Sequence, residues 1–513
     1  LCYSENEIHD CRKEEITMTK KAIALLLALV MLGGLLAGCS ETKDNTGADN
    51  AETPGADVGS AEIAAETEAP DEADVREKVD DGLGVKDLGG MEFRVLNRER
   101  SDFVTDLSFE EEMNGDVVND AICARNAAVA ERFNVTLAAD YVGEPVPIME
   151  ACVTSGDDSY DVCLAQIIQQ TAVCYKGGYF DWYTDIPHID LSRPWYIGNA
   201  AEALSVKNHA YVMIGEFDLD VLRFTYCMYY NKSIAAEYNL DEIYGIVKEG
   251  KWTYDYLKSL ADMIYTDLDG NGVKDESDRL ALSGDPYSAV VTYQYAFDNP
   301  LFSLDTEGIP QMTFDREKAH SIVEKLNALY WEAPGSFTSG WGTGSTAWKG
   351  GRLLCYTGLF NSASGYRDLD FDFGIIPYPK YDEAQTSYYT MSDGAHGGMM
   401  VPITVKDIDS VGLILEALNA ETWKKVVPAY YDTSLKVKFS RDTESAEMLD
   451  LLMSSRVFDF GYMCGDWGMA FVIQDLVSRN SNDSESAYKS KDKMAQKTFG
   501  KIIDAYLALD EGN

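Results

Sequence analysis

From Gly89 onward, short apolar runs of strand character alternate with helical stretches, and that alternation restricts the chain to α/β architectures with a mainly parallel sheet. Phe93 and Val95 alternate with polar neighbours as a strand, and Asp116 or Asn119 can cap a helix ending at Phe133. Residues 134–137 and 160–165 read as the next strands, with a helix over 148–153 between them. Further strands are expected at 210–214, 224–230, 353–356, 373–376 and 398–403, with helices over 232–238 and 410–418. The last hundred residues read mostly as helix. Apolar residues make up 46 % of the chain and aromatics 11 %, enough for two or three domains' worth of core in about 470 residues beyond position 39. The net charge of −43 argues against a nucleic-acid partner, because phosphate binding rests on Lys and Arg.

The region before Gly89 carries an address. Lys20 and Lys21, an apolar run over 22–32 and then Leu36-Ala37-Gly38-Cys39 form the pattern of an export signal. The run is too short for a permanent membrane span, which takes about 20 apolar residues. The Cys directly after Leu-Ala-Gly resembles the lipobox of bacterial lipoproteins, which implies a signal peptide over 18–38 and lipidation at Cys39. More than one acyl chain holds a protein stably at a membrane surface. Residues 1–17 are expected to lie upstream of the start at Met18, since Arg12-Lys13-Glu14-Glu15 can be encoded by a purine run of the ribosome-binding kind. Residues 39–87, rich in Ala, Glu, Asp, Thr, Gly and Pro, are expected to be a disordered acidic tether.

The stretch Tyr229-Tyr230-Asn231-Lys232, followed by a short helix and then Gly250-Lys251-Trp252-Thr253-Tyr254-Asp255, resembles the family 1, sugar-type extracellular solute-binding proteins of ABC importers. Lys349-Gly350-Gly351-Arg352 with Phe373-Gly374-Ile375-Ile376-Pro377-Tyr378-Pro379-Lys380, and Gly398-Met399-Met400-Val401-Pro402-Ile403, are similar to that family's return and re-entry segments. The resemblance implies a two-lobe, periplasmic-binding-protein-like α/β fold of type II with the ligand cleft between the lobes. Lobe 1 is expected at 88–229 plus 397–435, and lobe 2 at 230–396 plus 436–513 with the C-terminal helices. The implied function is capture of a sugar or oligosaccharide at the outer membrane face and delivery to the permease subunits, without catalysis. Two other readings stay open: a surface-anchored carbohydrate-active enzyme, and a ligand-sensing lipoprotein partnered with a membrane kinase.

One motif speaks for a metal. Asp267, Asp269, Asn271, Asp275 and Asp278 place oxygen side chains at loop positions 1, 3, 5, 9 and 12, with Gly272 at 6 and the Val273 carbonyl at 7. Position 12 is Asp where an EF-hand has Glu, so a structural calcium site is expected. The competing reading is an acidic surface turn without metal. Sugar binding needs aromatic faces and planar polar groups. The Gly-rich loop holding Trp341 and Trp348 supplies such aromatics, and Asp393 lies near an expected lobe crossing. By the resemblance, Phe360, Asn361 and Trp467 also line the cleft, although for any single aromatic, core packing is the commoner role. The seven cysteines from Cys123 onward show no metal spacing and read as small buried hydrophobes.

Overall fold

A computed structural model describes residues 72–99, 107, 109, 112–240, 242–338, 340, 342–439 and 442–510. The signal segment, Cys39 and Trp341 lie outside the described residues. Residues 69–513 form one compact unit. Among the described residues no helix is long and apolar enough to cross a membrane.

The chain enters through α1 (Glu72–Glu77), then β1 (Met91–Arg98), α2 (Val117–Phe133), β2 (Val135–Val142), α3 (Pro145–Ser155), β3 (Val162–Gln166) and α4 (Ile167–Thr171). Asp116 caps α2 by accepting from the Val118 and Asn119 amides, and Asn134 ends it in the left-handed region. The second body starts with β4 (Tyr226–Asn231), α5 (Lys232–Glu237), α6 (Tyr254–Met263), β5 (Tyr265–Thr266) and β6 (Arg279–Gly284). It continues through β7 (Phe302–Leu304), β8 (Pro310–Met312), α7 (Arg316–Asn327), β9 (Ser336–Thr338), α8 (Thr343–Lys349), β10 (Leu353–Leu359) and β11 (Phe373–Ile376). The return runs through β12 (Thr390–Met391), β13 (Gly397–Met400) and α9 (Ile408–Glu421). The chain ends with β14 (Arg456–Val457), α10 (Phe460–Met463), α11 (Val472–Ser478) and α12 (Ser484–Asp510).

Two sheets organise two lobes. The first has the order β13-β3-β1-β2, with β1 parallel to β2 and β3, and β13 antiparallel to β3. The second has the order β11-β4-β10-β6-β5, with β9 also on β6. It is mixed rather than mainly parallel: β4 runs antiparallel to both β10 and β11, while β6 runs parallel to β9 and β10. The strands β3, β4 and β11 are buried on both faces and read as near-continuous apolar runs, whereas β2, at the edge of the first sheet, is half-buried or exposed beyond Val135. In β4, Cys227 and Tyr229 enter one cluster and Met228 and Tyr230 another. In β3, Val162 and Leu164 part in the same way from Cys163 and Ala165.

The motif that prompted the family resemblance has a local physical meaning. Asn231 ends β4 and caps α5 by accepting from the Ser233 and Ile234 amides. Trp252 is buried with its indole N–H donated to the Pro377 carbonyl (2.9 Å), and Thr253 caps α6. These residues lock the start of α6 to the Pro377–Lys380 exit, where Thr253 pairs with Lys380.

Three expectations change. The run 210–214 forms no strand; Met213 makes a single bridge to Met399, Gly215 just beyond it makes one to Tyr196, and the run is otherwise buried packing. The tether does not extend to residue 87. From α1 onward the chain is folded: Arg76 stacks on Trp423, Val79 and Leu83 pack on the first lobe's core, and buried Asp81 pairs with Arg132. The C-terminal segment does not lie on lobe 2 alone; Thr171 donates to the Met463 carbonyl, Asn199 to that of Arg456, and α12 reaches the first lobe. Among the described residues the cysteines form no disulfide and, apart from partly buried Cys123, are buried.

Candidate functional site: the cleft between the lobes

In open α/β sheets, ligands sit at the carboxyl ends of the parallel strands. Here those ends are Arg98 of β1 and Gln166 of β3 in the first lobe, and Gly284 of β6, Thr338 of β9 and Leu359 of β10 in the second. Three crossing segments join the lobes beneath them. Thr225 pairs with Ser392, the Asp393 amide donates to the Phe224 carbonyl (2.9 Å), and β12 pairs with β14. Buried Thr390 and Ser392 clamp the crossing through their hydroxyls, donating to the Tyr226 and Val221 carbonyls, both at 2.7 Å.

Asp393 sits on this crossing, partly exposed. One carboxylate oxygen accepts from the Tyr226 hydroxyl (2.5 Å) and the other from the Ala395 amide (2.8 Å). Burial, with the Asp393 charge added, pushes the Tyr226 phenol well above its ordinary range, so it stays a donor. The Gly394 amide then donates to the Tyr462 hydroxyl (2.9 Å). A Cβ on Gly394 would meet Ile168 at 2.7 Å and Tyr462 at 3.2 Å, so only glycine lets the three segments close. Tyr462 is held by buried Asp459, which accepts from the amides of Leu301, Phe302, Gly461 and Tyr462. Burial raises the Asp459 carboxyl to about 6 against those four donors.

Partly exposed side chains stand around this crossing. Phe471 packs edge-on to Tyr462 (5.9 Å between centroids) and is partly exposed. Tyr287, three residues beyond β6, is 41 % exposed, and its carbonyl accepts from Gln474. Burial of its hydroxyl, then the charges of Asp475 and Asp285, raises the Tyr287 phenol. On the first lobe Gln169, three residues beyond β3, donates to Glu144 (3.0 Å), while its amide oxygen is buried without a partner. The region therefore offers aromatic faces, a planar amide acceptor and carboxylates.

Several expected ligand residues lie elsewhere. Trp348 is 0 % exposed and packs among Tyr229, Tyr356, Tyr366, Phe371 and Phe373. Phe360 is buried in the same cluster, its amide donated to the Thr225 carbonyl (3.0 Å). Trp467 is buried against Phe302 with its indole N–H on the Gly461 carbonyl. These three are core residues that support the crossing from below. Asn361 is partly exposed at the end of β10, its carbonyl accepting from Ser364. The sequence reading missed Gln169, Tyr287 and Phe471; the signal for the first two is position, the third residue after a strand's carboxyl end.

Neither a protein-family model nor a curated protein sequence matches the chain. Solved structures do. The galacto-N-biose/lacto-N-biose I-binding protein of an ABC transporter from Bifidobacterium longum matches at TM-score 0.54 and 13 % identity, over 81 % of this chain and 99 % of that one. The cyclic alpha-maltosyl-1,6-maltose binding protein of Arthrobacter globiformis matches at 0.51 and 14 % identity, over 81 % and 99 %. This chain has the two-lobe fold of the ABC-transporter solute-binding proteins. An ABC substrate-binding protein of Listeria monocytogenes, solved with cycloalternan, agrees at 0.50 and 12 % identity over 80 % and 99 %. In this solute-binding fold the lobes face each other across the crossing that Asp393 and Tyr226 pin.

The acidic loop lies on the second lobe, between β5 and β6. One carboxylate oxygen from each of Asp267, Asp269 and buried Asp278 lies within 4.8 Å of the others. Asp267 accepts from the Gly270 and Gly272 amides, and both glycines are in the left-handed region. Asn271 accepts from the Val273 amide (2.5 Å), and Asp275 turns to the Ser277 amide instead of joining the cluster. Lys274 points away to the Ala333 and Pro334 carbonyls. The donor set fits a hard cation of the calcium kind at positions 1, 3 and 12, with position 9 left to act through water.

Proposed function

We propose that this protein is a membrane-anchored extracellular solute-binding protein that captures a carbohydrate between its lobes and delivers it to an ABC importer permease. The observation that carries the reading is the cleft itself. Solvent-facing Tyr287 and Phe471 offer ring faces to the C–H surface of a sugar, and Gln169 and the nearby carboxylates suit its hydroxyls. The similar solved proteins are named for lacto-N-biose, cyclic maltosyl-maltose and cycloalternan binding, which supports the same ligand class here. The lipobox at Cys39 supports anchoring. Delivery follows from closure: a ligand that binds both lobes stabilises the closed state, which a permease can read, while other chains hydrolyse ATP. The lobes proposed are 88–229 plus 397–435, with residues 72–87 added to the first, and 230–396, with the C-terminal segment 436–513 packed on both. Calcium in the 267–278 loop is proposed as a structural ion.

A thermal-shift screen of residues 69–513 against mono- and oligosaccharides tests this. A ligand at a hundredfold excess over Kd stabilises the fold by about 2.7 kcal/mol. No shift with any sugar would overturn the carbohydrate assignment. Sustained release of reducing sugar would replace the binder with a carbohydrate-active enzyme.

A further inference from the structure

The last helix holds both lobes at once. α12 has 27 residues, which at the α-helical rise is about 40 Å. Its first half sits on the second lobe: Ser484 meets His320 (2.7 Å), Tyr488 packs on Phe314 (5.2 Å between centroids), and Asp492 pairs with Arg316 (2.6 Å). Phe499, at its middle, packs on Phe302 (4.7 Å). Its final turns sit on the first lobe. The Tyr506 hydroxyl is 3.2 Å from the Cys174 sulfur, and its ring lies 5.6 Å from Tyr211 and 6.3 Å from Tyr175. Leu509 covers Gly177. Tyr506 and Cys174 are both buried, and the Tyr506 ring also packs on Phe460 (6.3 Å).

A continuous 27-residue helix curves only gently, so attachments at both ends restrain rotation of the two lobes about a hinge unless one attachment gives. The second-lobe attachment includes an ion pair, ring packing and the adjoining α11, which packs on α7. The first-lobe attachment of α12 is the smaller one, centred on Tyr506. We propose that α12 is an interlobe strap whose last two turns, seated on the first lobe through Tyr506 as the positioning residue, detach when the lobes rotate about the crossing. This rests on the reading that the protein works by cleft closure. The strap makes the equilibrium between lobe arrangements, and through it ligand affinity, depend on a side chain of the last helix.

Cys174 is a built-in reporter. Burial raises its thiol to about 11, and that of Cys355, inside the second sheet, to about 12, so both react slowly while covered. The test is peptide-resolved mass spectrometry of N-ethylmaleimide labelling on the native full-length protein, with Cys355 as internal control for unfolding. Cys174 should label at least tenfold faster than Cys355, faster still in Tyr506→Ala, and near the original rate in Tyr506→Phe, which keeps the ring. Equal rates for the two thiols, or an alanine variant that accelerates both in step, would overturn the strap. No sugar is needed, so a failed sugar screen leaves this result standing, and absent labelling contrast leaves sugar binding untouched.

Discussion

At the residue scale, burial divides the aromatics into scaffold and surface. Trp348 and Tyr287 look alike in the sequence as aromatics beside polar loops, yet one is enclosed by five rings and the other faces solvent. Trp348→Ala should cost about 3–5 kcal/mol in chemical denaturation, as large core truncations do. Tyr287→Ala should leave the denaturation midpoint in place and weaken sugar binding by tenfold or more in calorimetry. Composition supplied both kinds of residue, and nothing local in the sequence tells them apart; the distinction is made by strands remote in sequence, β4 and β11, that wall Trp348 in. Asp393, expected as a ligand residue near a crossing, does lie on that crossing, where its carboxylate oxygens accept from the Tyr226 hydroxyl and the Ala395 amide. A second residue carries a pH prediction. Burial raises Glu416 from an ordinary value of 4.5 to about 7, although the Tyr196 hydroxyl and the Trp195 indole N–H both donate to it. Between those values the unfolded chain gives up this proton while the fold keeps it, so stability falls as pH rises through the window. Glu416→Gln should flatten that fall by about 1–3 kcal/mol when stability is compared at the two ends.

At the element scale, the boundary of order matters most. Residues 72–87 look disordered by composition, being acidic and poor in large apolar side chains. What folds them is a pair of contacts no composition reveals: Arg132 from α2 meeting Asp81, and Trp423 receiving Arg76. A chain starting at residue 89 should therefore be less stable than one starting at 69, by about 2 kcal/mol or more, measured by urea denaturation. The strand β6 escaped the sequence reading because Leu280, Ala281 and Leu282 follow directly on the acidic loop and make too short a run to show a period. The loop itself was legible because oxygen spacing is a local property. Sub-millimolar to millimolar calcium should raise the melting temperature, and Asp269→Ala, an exposed substitution, should abolish that rise while leaving the metal-free melt unchanged. A calcium-independent melt in the parent protein would leave the loop as an acidic turn.

At the scale of the whole molecule, the two-lobe plan was visible in the order of short motifs, because each is a cap or an exit that the topology requires: Asn231 at the start of α5, Thr253 at α6, Pro377 at the end of β11. The mixed pairing of the second sheet and the straddling C-terminal helix were not visible, since both depend on which remote segments meet. Together they describe a hinge pinned at Tyr226–Asp393, a cleft opening above it, and a helix bridging the lobes. A lipid anchor at Cys39, as proposed, would hold the two lobes at high effective concentration beside a permease. The account stands or falls on closure around a sugar. X-ray solution scattering of residues 69–513, with and without a saturating oligosaccharide, should show the radius of gyration fall on binding, and fall less when Tyr287→Ala weakens the complex at the same concentration. A sugar that binds tightly with the radius unchanged, or a panel in which no sugar binds, would contradict it.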